Sequence, residues 1–500
     1  MSLTKRAASG IIWNQTYVVL SLGLSLAFNL FIVRQFDRYS YSIYIFAAGF
    51  VGVVLQLVSL GFENILDRYI PEYSSKGSIS NVRFVFNRLF LVRSTILLNA
   101  CVAILVTQKL LASLLKMPEL TTLIGYLLAI IMVRGVFNLF PNFYMAQLKV
   151  KQARTVELCE QALHLLIVYY VLVVLKAVNI KYIFLAQLLI DGVIVVFYLI
   201  FLHKSWHGTA DQGEIGDLRS LYRFGLYFWG TDLLTYMLAE KSDILLLGFL
   251  CADKEQIGIY NVGVMILLKI SLLVLGGLRG LLLPTFSEAY ARKKYDGVAR
   301  VWDAFFKVIL VSIIPSLFFL FFFARHFIIM LFTGNYVQSV VVLQLSIGFA
   351  LLGWLLGSGL SMIVLMTLNK GGTVLWIRLG AGLLNLLLNF ILIPYYGARG
   401  AVIATGFSQL SCSVVEFLIM QRHVALPYPF LFLGKLIFIS SIALSVVIWF
   451  PIKGLWQLVM AGGIYLVLFL LIAHFIRFLT PSEREQLSEH QLFRYFAKAF

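Results

Sequence analysis

Long apolar runs alternate with short polar connections along the whole chain. Because a helix needs about 20 mostly apolar residues to cross the hydrocarbon core of a bilayer, each run of that length predicts one membrane-spanning helix. The pattern predicts fourteen such helices, at residues 11–33, 41–62, 86–107, 121–145, 156–176, 181–203, 222–250, 257–283, 302–324, 338–366, 373–394, 400–421, 431–450 and 455–478. The connections are too short for a soluble catalytic domain, so we expect an all-α polytopic membrane protein.

Charged residues are scarce for a chain of 500 residues. Asp, Glu, Lys and Arg make up 13% of the sequence and hydrophobic residues 61%, whereas ordinary soluble domains carry roughly 25% charged residues. A folded chain with so little polar cover is stable only where lipid covers most of its surface. The composition therefore excludes a cytosolic enzyme, a secreted disulfide scaffold and a disordered chain.

The remaining charge is basic, with 40 Lys and Arg residues against 23 Asp and Glu. In a membrane protein such an excess collects in cytoplasmic loops, and an N-terminus inside leaves roughly 22 basic residues in those loops and roughly 10 outside. The clearest inside clusters are Lys149-x-Lys151-x-x-Arg154 and residues 292–294. We therefore expect both termini to be cytoplasmic, and no nucleic-acid partner.

The cysteines and the short motifs offer no cofactor chemistry. The four cysteines show no metal-ligand spacing, and three of them lie inside apolar runs, so we expect neither a disulfide nor a metal site. The chain also contains no Gly-rich phosphate loop of the ATP-hydrolysing type. We expect no cofactor and no enzymatic activity.

The sequence carries a weak internal repeat. A shift of 218 residues sets Thr155-Val156 on Thr373-Val374 and Lys181 on Arg399. A repeat of six helices would give two lobes of the same orientation, with a cleft between them of the kind in which transporters bind cargo. We expect lobes at residues 1–215 and 216–425, two additional helices at 426–480 and a cytoplasmic tail at 481–500.

Ionisable side chains at membrane depth are costly and are therefore functional candidates. Arginine can bind a phosphate through two parallel hydrogen bonds, whereas lysine acts as a point charge. The alternative interpretation is that such cations extend to the interface or pair with a neighbouring acid. The cationic candidates for substrate binding are Arg93, Arg134, Lys241, Lys269, Arg279 and Arg378.

The seventh predicted helix is the most polar. At 100° per residue its Asp232 and Asp243 lie about 20° apart, with Glu240 on the flank of the same face. Such a stripe could bind the coupling ion, although Glu240 and Asp243 could equally end a shorter helix at the outer interface. Trp229 on this helix is a candidate for stacking on a sugar.

Further acids lie on three other predicted helices. Glu157, Glu160 and His164 are spaced so that they share one face of the fifth helix. Asp191 and Glu416 stand alone on the sixth and twelfth helices. For lone charges of this kind, the sequence leaves a structural partner and a ligand equally open.

Several short motifs follow one another along the chain. They are the stretch from Asn385 to Thr405, Gly258-Ile259-Tyr260, Leu283-Pro284-x-x-Ser287, Leu331-Phe332-x-Gly334-x-Tyr336, Gly61 followed by Pro71-Glu72-Tyr73, and Val33-Arg34 to Ile43-Tyr44. In their order and spacing these motifs resemble those of bacterial polysaccharide (O-antigen-type) flippases, a family of the multidrug/oligosaccharidyl-lipid/polysaccharide exporter superfamily. The chain departs from the family pattern at Ser42, where the family usually has Gly.

The resemblance implies a fourteen-helix transporter of the bacterial inner membrane. It would flip a polyprenyl-pyrophosphate-linked oligosaccharide from the cytoplasmic to the external leaflet by alternating access, driven by an ion gradient, the membrane potential or both. The implied partners are the lipid bilayer, the polyprenyl-linked saccharide, H⁺ or Na⁺, and polysaccharide assembly enzymes.

Three alternatives remain open at this point. Two belong to the same superfamily: a flippase for the peptidoglycan lipid precursor, and a multidrug or cation antiporter. A membrane-embedded polysaccharide polymerase is the alternative from a different class, and its acid or base would be displayed on an external loop.

Overall fold

The computed structural model describes residues 3–205, 218–424, 426, 428–476 and 478, without the side chains of residues 3–12, 203–205 and 274–281. The predicted tail at 481–500 lies outside the described residues. The helices are α1 Leu3–Gln35, α2 Arg38–Leu57, α3 Phe62–Ser75, α4 Ile79–Leu115, α5 Glu119–Phe137, α6 Leu139–Ala146, α7 Val150–Tyr169, α8 Ile180–Ser205, α9 Leu218–Met237, α10 Glu240–Leu250, α11 Glu255–Phe322, α12 Ala324–Phe332, α13 Ser339–Leu355, α14 Leu360–Thr367, α15 Gly371–Tyr396, α16 Ala398–His423, α17 Phe430–Val447 and α18 Leu455–Phe475.

Two of these helices depart from regular α geometry. α7 continues into a π-helical turn at Tyr170–Val174. α11 is interrupted at Lys293 and Lys294, whose backbone angles are not helical, so it consists of two helices that meet at a kink.

Thirteen stretches of the described chain are helical, apolar and long enough to cross a membrane. Each corresponds to one predicted helix, which confirms the all-α polytopic membrane fold. The stretches are Trp13–Gln35, Arg38–Leu57, Ile79–Leu115, Glu119–Ala146, Val150–Val174, Ile180–Leu202, Glu255–Leu273, Leu282–Phe322, Ser339–Thr367, Gly371–Tyr396, Ala398–Gln421, Phe430–Val447 and Leu455–Phe475.

The prediction of one continuous seventh helix at residues 222–250 is wrong. α9 ends at Met237 and α10 begins at Glu240, with Ala239 in an extended conformation between them. α9 carries three charged side chains and α10 has only 11 residues, so neither is a candidate span. Glu240 and Asp243 lie in the first turn of α10, where acids favour a helix N-terminus and hence a new helix rather than a continued one.

The chain divides into two compact units, Met1–Gly258 and Ile259–Phe500. The boundary of the predicted lobes, between residues 215 and 216, stays a prediction. The core of the first unit joins α3, α4, α6 and α8 through aromatic side chains. The rings of Phe140 and Tyr198 stack with centroids 4.9 Å apart, and the ring centroid of Phe143 lies 4.6 Å from that of Phe86.

The second unit contains a close pair formed by α15 and α16. Their junction lies at Gly397, whose φ of 52° suits a residue without a side chain. A Cβ atom at Gly400 would lie 2.4 Å from the carbonyl oxygen of Leu392, so only glycine fits where the two helices meet. A buried Trp302 on α11 stacks on Phe306 at 4.3 Å and packs against Phe417 of α16.

Candidate functional site

A buried ionic cluster lies in the first unit, around Arg134. This residue is on α5, near the middle of the span Glu119–Ala146. Its Nη1 donates to Oε1 of Glu160 at 3.1 Å and to Oδ1 of Asp191 at 2.6 Å. Glu160 and Asp191 also lie near the middles of their spans, on α7 and α8. The cluster therefore lies near the bilayer midplane and joins three helices.

Gln187 completes the cluster. It precedes Asp191 by four residues on α8, so both side chains share one helix face. Its Nε2 donates to Oε1 of Glu160 at 3.0 Å and to Oδ2 of Asp191 at 2.8 Å. The two carboxylates thus accept four hydrogen bonds from two donor atoms, Nη1 of Arg134 and Nε2 of Gln187, and both carboxylates are almost fully buried. The side chain of Arg134, in contrast, is 28% exposed.

Arg134 borders a cavity of about 190 Å³ that is lined by α2, α5, α7 and α8. Gln187, His164 and Tyr44 supply the other polar groups of its wall. His164 stacks on Phe28 with ring centroids 4.7 Å apart. Because one guanidinium faces two carboxylates here, the cluster can accept a positive charge, and the cavity gives a small polar group access to Arg134.

Gly52 on α2 connects this cavity with the polar start of α10. It lines the cavity, and a Cβ atom added to it would lie 3.2 Å from the hydroxyl oxygen of Tyr236 and 3.5 Å from Cδ of Lys241. Because Gly52 has no side chain, Tyr236 and Lys241 can pack closely against α2 beside the Arg134 cavity. Lys241 itself is exposed.

Arg93 has the surroundings of a structural arginine. Its side chain is 1% exposed and lies 3.3 Å from Oε1 of Glu63. It donates from Nε to the carbonyl oxygen of Gly135 at 3.2 Å and from Nη1 to that of Val58 at 3.4 Å. Val58 caps the C-terminus of α2, so Arg93 satisfies carbonyl groups at helix ends that lack intrahelical partners.

The acids predicted for ion coupling are divided by the break at Ala239. Asp232 on α9 is exposed and accepts a hydrogen bond from Nδ2 of Asn64 at 3.0 Å. Asp243 on α10 is fully buried and Glu240 is half-buried. Their single stripe required an unbroken helix, so the structure does not form it.

Trp229 lies on α9 and is half-buried. Its indole N–H donates to the carbonyl oxygen of Gln56 at 3.1 Å, near the end of α2. This bond ties α9 to α2 and orients the indole ring.

The remaining cationic candidates belong to the second unit. Nε of Arg378 on α15 lies 3.8 Å from Oε1 of the buried Glu416 on α16, and Sδ of Met362 accepts from its Nη2 at 2.7 Å. Lys269 is half-buried on α11. Arg279 falls among the residues whose side chains are outside the description. The structure thus pairs Arg378 with Glu416.

The sequence identified Arg134, Glu160 and Asp191 singly but not their association, and it missed Gln187 and Gly52. The spacing of four residues between Gln187 and Asp191 was the available signal for the first. Gly52 carried no signal, since its neighbours Tyr236 and Lys241 come from distant elements. Within the described residues, no group of three or more His, Cys, Asp or Glu side chains is arranged to hold a metal ion.

The fold is shared with transporters of known structure. It matches a lipid II flippase MurJ in an inward closed conformation with a TM-score of 0.67 and 15% identity, over 92% of this chain and 99% of that one. An inward-facing multidrug resistance MATE family transporter matches with a TM-score of 0.64 and 14% identity, over 82% and 97%. A MOP superfamily transporter from Pyrococcus furiosus Vc1 (DSM3638) matches with a TM-score of 0.54 and 13% identity, over 83% and 95%.

These matches define the class: a multi-pass helical membrane protein with the fold of the MOP superfamily. The family is given by the sequence itself. Residues 7–290 match the model of the polysaccharide biosynthesis protein family, and the chain belongs to that family. Among curated proteins, a sequence search finds no significant match. The matched residues include the whole Arg134 cluster.

Proposed function

We propose that this protein is a flippase that moves a polyprenyl-pyrophosphate-linked oligosaccharide from the cytoplasmic to the external leaflet of a bacterial inner membrane by alternating access, without an enzymatic step. The observation that carries the proposal is Arg134, a partly exposed guanidinium near the midplane of a polysaccharide biosynthesis family member, beside a cavity. Membership of that family favours a saccharide cargo.

The physical requirement for such a cargo is a cationic path. A pyrophosphate with several sugars cannot cross hydrocarbon unaided, because burying an isolated charge there costs tens of kcal/mol by Born estimates. An arginine can bind a phosphate oxygen pair in a bidentate manner and so replace its hydration. Arg134 is our candidate for this contact at the midplane.

In the absence of cargo, Arg134 is paired with the carboxylates of Glu160 and Asp191. With both ionised the cluster carries one excess negative charge, which disfavours a second anion at Arg134. Loss of the negative charge of Asp191 by proton uptake would weaken its ion pair with Arg134 and release the guanidinium toward the cargo phosphate. Outward movement of negative charge is itself favoured by about 2.3 kcal/mol per 100 mV of inside-negative potential. The proposed driving force is thus a proton gradient together with the membrane potential.

The other predicted site residues keep defined roles in the proposal. Lys241 would extend the cationic path beyond Gly52, and Trp229 would stack on sugar rings. Lys269, Arg279 and Arg378 remain candidate phosphate contacts of the second unit, and Arg93 supports the helix ends around the site. Asp232, Glu240 and Asp243 remain candidates for Na⁺ coupling, each now considered separately.

Orientation follows from the basic loops. Both termini are proposed to lie in the cytoplasm, since the loops on that side would hold most of the Lys and Arg residues. Because the thirteen candidate spans are an odd number, this orientation requires α9 and α10 to cross the membrane together as a fourteenth crossing. Polysaccharide assembly enzymes are the expected protein partners on this side of the membrane.

A flipping assay in proteoliposomes tests the proposal. Purified protein would be reconstituted with a defined polyprenyl-pyrophosphate oligosaccharide, and the fraction of sugar that reaches the opposite leaflet would be measured with a membrane-impermeant glycosidase. Because a hydrogen bond to a charged group contributes about 1.5–3 kcal/mol, Arg134→Gln should slow flipping about tenfold or more. Arg422→Gln, which removes an exposed arginine at the end of α16, is the matched control and should flip at the wild-type rate.

Each alternative gives a distinct result in the same assay. A wild-type flipping rate in Arg134→Gln would show that Arg134 does not contact the cargo phosphate during flipping. Movement of the peptidoglycan lipid precursor without movement of the oligosaccharide lipid would assign the other flippase class. Gradient-driven export of an organic cation would assign the antiporter, and a longer saccharide chain recovered after the assay would assign the polymerase.

A further inference from the structure

A groove on the first unit has the features of a second lipid site. It consists of two adjoining hollows of about 370 and 560 Å³, and Tyr144 and Phe201 line both of them. Volumes of this size fall in the range of small-molecule sites. The larger hollow lies between α6, α7 and α8, and the smaller one also borders α3 and α4. The groove shares no lining residue with the Arg134 cavity.

Two lysines stand at the edge of this groove. Lys149 lines the smaller hollow and is the N-cap of α7, and Lys151 lines the larger one. The first turn of α7 holds no acidic residue. In the described part of the chain, neither lysine has a carboxylate within salt-bridge distance, and the pKa of Lys149 is lowered by burial. An anion bound here would therefore gain two unneutralised charges and the positive end of the α7 dipole.

The surroundings of the lysines indicate the depth of the groove in the bilayer. Nζ of Lys151 lies 4.9 Å from the ring centroid of Trp13, and Nζ of Lys149 lies 5.6 Å from that of Tyr144. Amphipathic aromatic rings beside lysines are typical of the headgroup level of a membrane. Both lysines lie at the boundary between the spans Glu119–Ala146 and Val150–Val174, which agrees with that level.

The apolar part of the groove extends from the lysines along α8. Phe201 and Phe197 line it and are 47% and 60% exposed. Exposed aromatic side chains on a membrane-spanning helix face lipid chains. The groove thus joins a cationic end at headgroup level to an apolar channel at acyl-chain level.

We propose that this groove is a specific site for an anionic membrane phospholipid, with the phosphate bound between Lys149 and Lys151 and an acyl chain lying along Phe197 and Phe201. Basic pockets between membrane helices bind anionic headgroups in this manner. The site is independent of the proposed transport function. The cargo lipid is a less suitable occupant, because the lysines lie at the membrane interface and not beside the midplane cluster.

Lipid titration followed by native mass spectrometry tests the site. The purified full-length protein would be titrated with phosphatidylglycerol and, in parallel, with phosphatidylcholine of the same chains. One lysine near an anionic headgroup contributes about fivefold in affinity, so Lys149→Gln and Lys151→Gln should each weaken phosphatidylglycerol binding about fivefold and the double variant about thirtyfold. Phosphatidylcholine binding should be weak and unchanged.

Lys370→Gln is the matched control. Lys370 is an exposed lysine that is the N-cap of α15, as Lys149 is of α7, but it lies outside the groove. Its variant should bind phosphatidylglycerol like the wild type. The proposal is overturned by equal binding of the two phospholipids to the wild type, by an equal loss in Lys370→Gln, or by binding of polyprenyl phosphate that excludes phosphatidylglycerol from the groove. Loss of flipping in Arg134→Gln would leave this binding unaltered, so the two proposals fail separately.

Discussion

Nη1 of Arg134 lies 2.6 Å from Oδ1 of Asp191, although 57 residues separate the two in the chain. The contact connects α5 with α8 near the middles of two membrane spans. Together with Glu160 it turns three costly charges into one hydrogen-bonded group. Because Arg134 is paired in this way, its burial should be tolerated only while an acid partner is present, and this can be measured as a change in stability.

The protein should lose much stability only when both carboxylates of the cluster are removed. Asp191→Asn or Glu160→Gln alone leaves Arg134 with one partner and should cost little. Removal of both leaves an uncompensated buried cation and should cost about 3–5 kcal/mol. Thermal unfolding of the purified protein would measure these differences. The triple variant that adds Arg134→Gln should recover most of the lost stability. A double variant whose cost equals the sum of the two single costs would contradict this prediction.

Substitution of Gly52 should slow transport without unfolding the protein. A leucine there would displace Tyr236, whose hydroxyl lies 3.2 Å from the position of a Cβ atom, at the wall of the Arg134 cavity. We expect Gly52→Leu to reduce the flipping rate several-fold at a nearly unchanged melting temperature. In the matched variant Gly125→Leu the added Cβ meets nothing within 4 Å, so its flipping rate should be that of the wild type. Equal rates in both variants would show that this packing has no role.

A buried amide network should stabilise the second unit. Nδ2 of Asn385 donates to Oγ1 of Thr405 at 2.7 Å, and Asn389 donates to the side chain of Asn385. Hydrogen bonds between membrane helices contribute about 0.6 kcal/mol on average. Asn385→Leu removes one hydrogen bond between α15 and α16 and one within α15, and it should cost about 1–2 kcal/mol in unfolding, about twice the cost of Thr405→Val. Ser411→Ala, at a half-buried position whose hydroxyl donates only to the carbonyl oxygen of Phe407 on the same helix, should cost nothing measurable.

The N-cap of α2 should give the protein an acid-dependent component of stability. Desolvation raises the pKa of Asp37, but hydrogen bonds from Ser40 and Tyr39 outweigh it and hold that pKa below its usual value. The folded state therefore favours the charged carboxylate. Its contribution is present above the ordinary carboxyl pKa and is lost as the pH falls through the lowered value.

Two variants separate the cap from its charge. Asp37→Ala should lower stability by about 1 kcal/mol at neutral pH, since the cap is lost. Asp37→Asn keeps a capping side chain that does not titrate, so its stability should be near that of the wild type at pH 7 and less sensitive to acid. Melting temperatures from pH 7 to pH 3 would measure both effects. An identical acid response in wild type and Asp37→Asn would contradict the assignment.

Much of the fold was predictable from the sequence. Thirteen spans follow the apolar runs, because a membrane helix must be long and apolar whatever its neighbours are. The seventh run was the exception. The acids Glu240 and Asp243 indicated the start of a helix. Hydropathy averaged over a long window, however, does not distinguish one polar helix from two helices separated by an extended residue.

The sequence by itself determined that this is a polytopic helical protein of the membrane, since that depends only on the length and apolar character of each run. The tertiary structure alone decided that Arg134 is joined to Glu160 and Asp191, that Arg93 satisfies helix-end carbonyls, and that Lys149 and Lys151 border an apolar groove. A buried charge must have a partner. The identity of that partner, however, depends on how helices rotate and pack, and periodicity along one helix contains no information about the next.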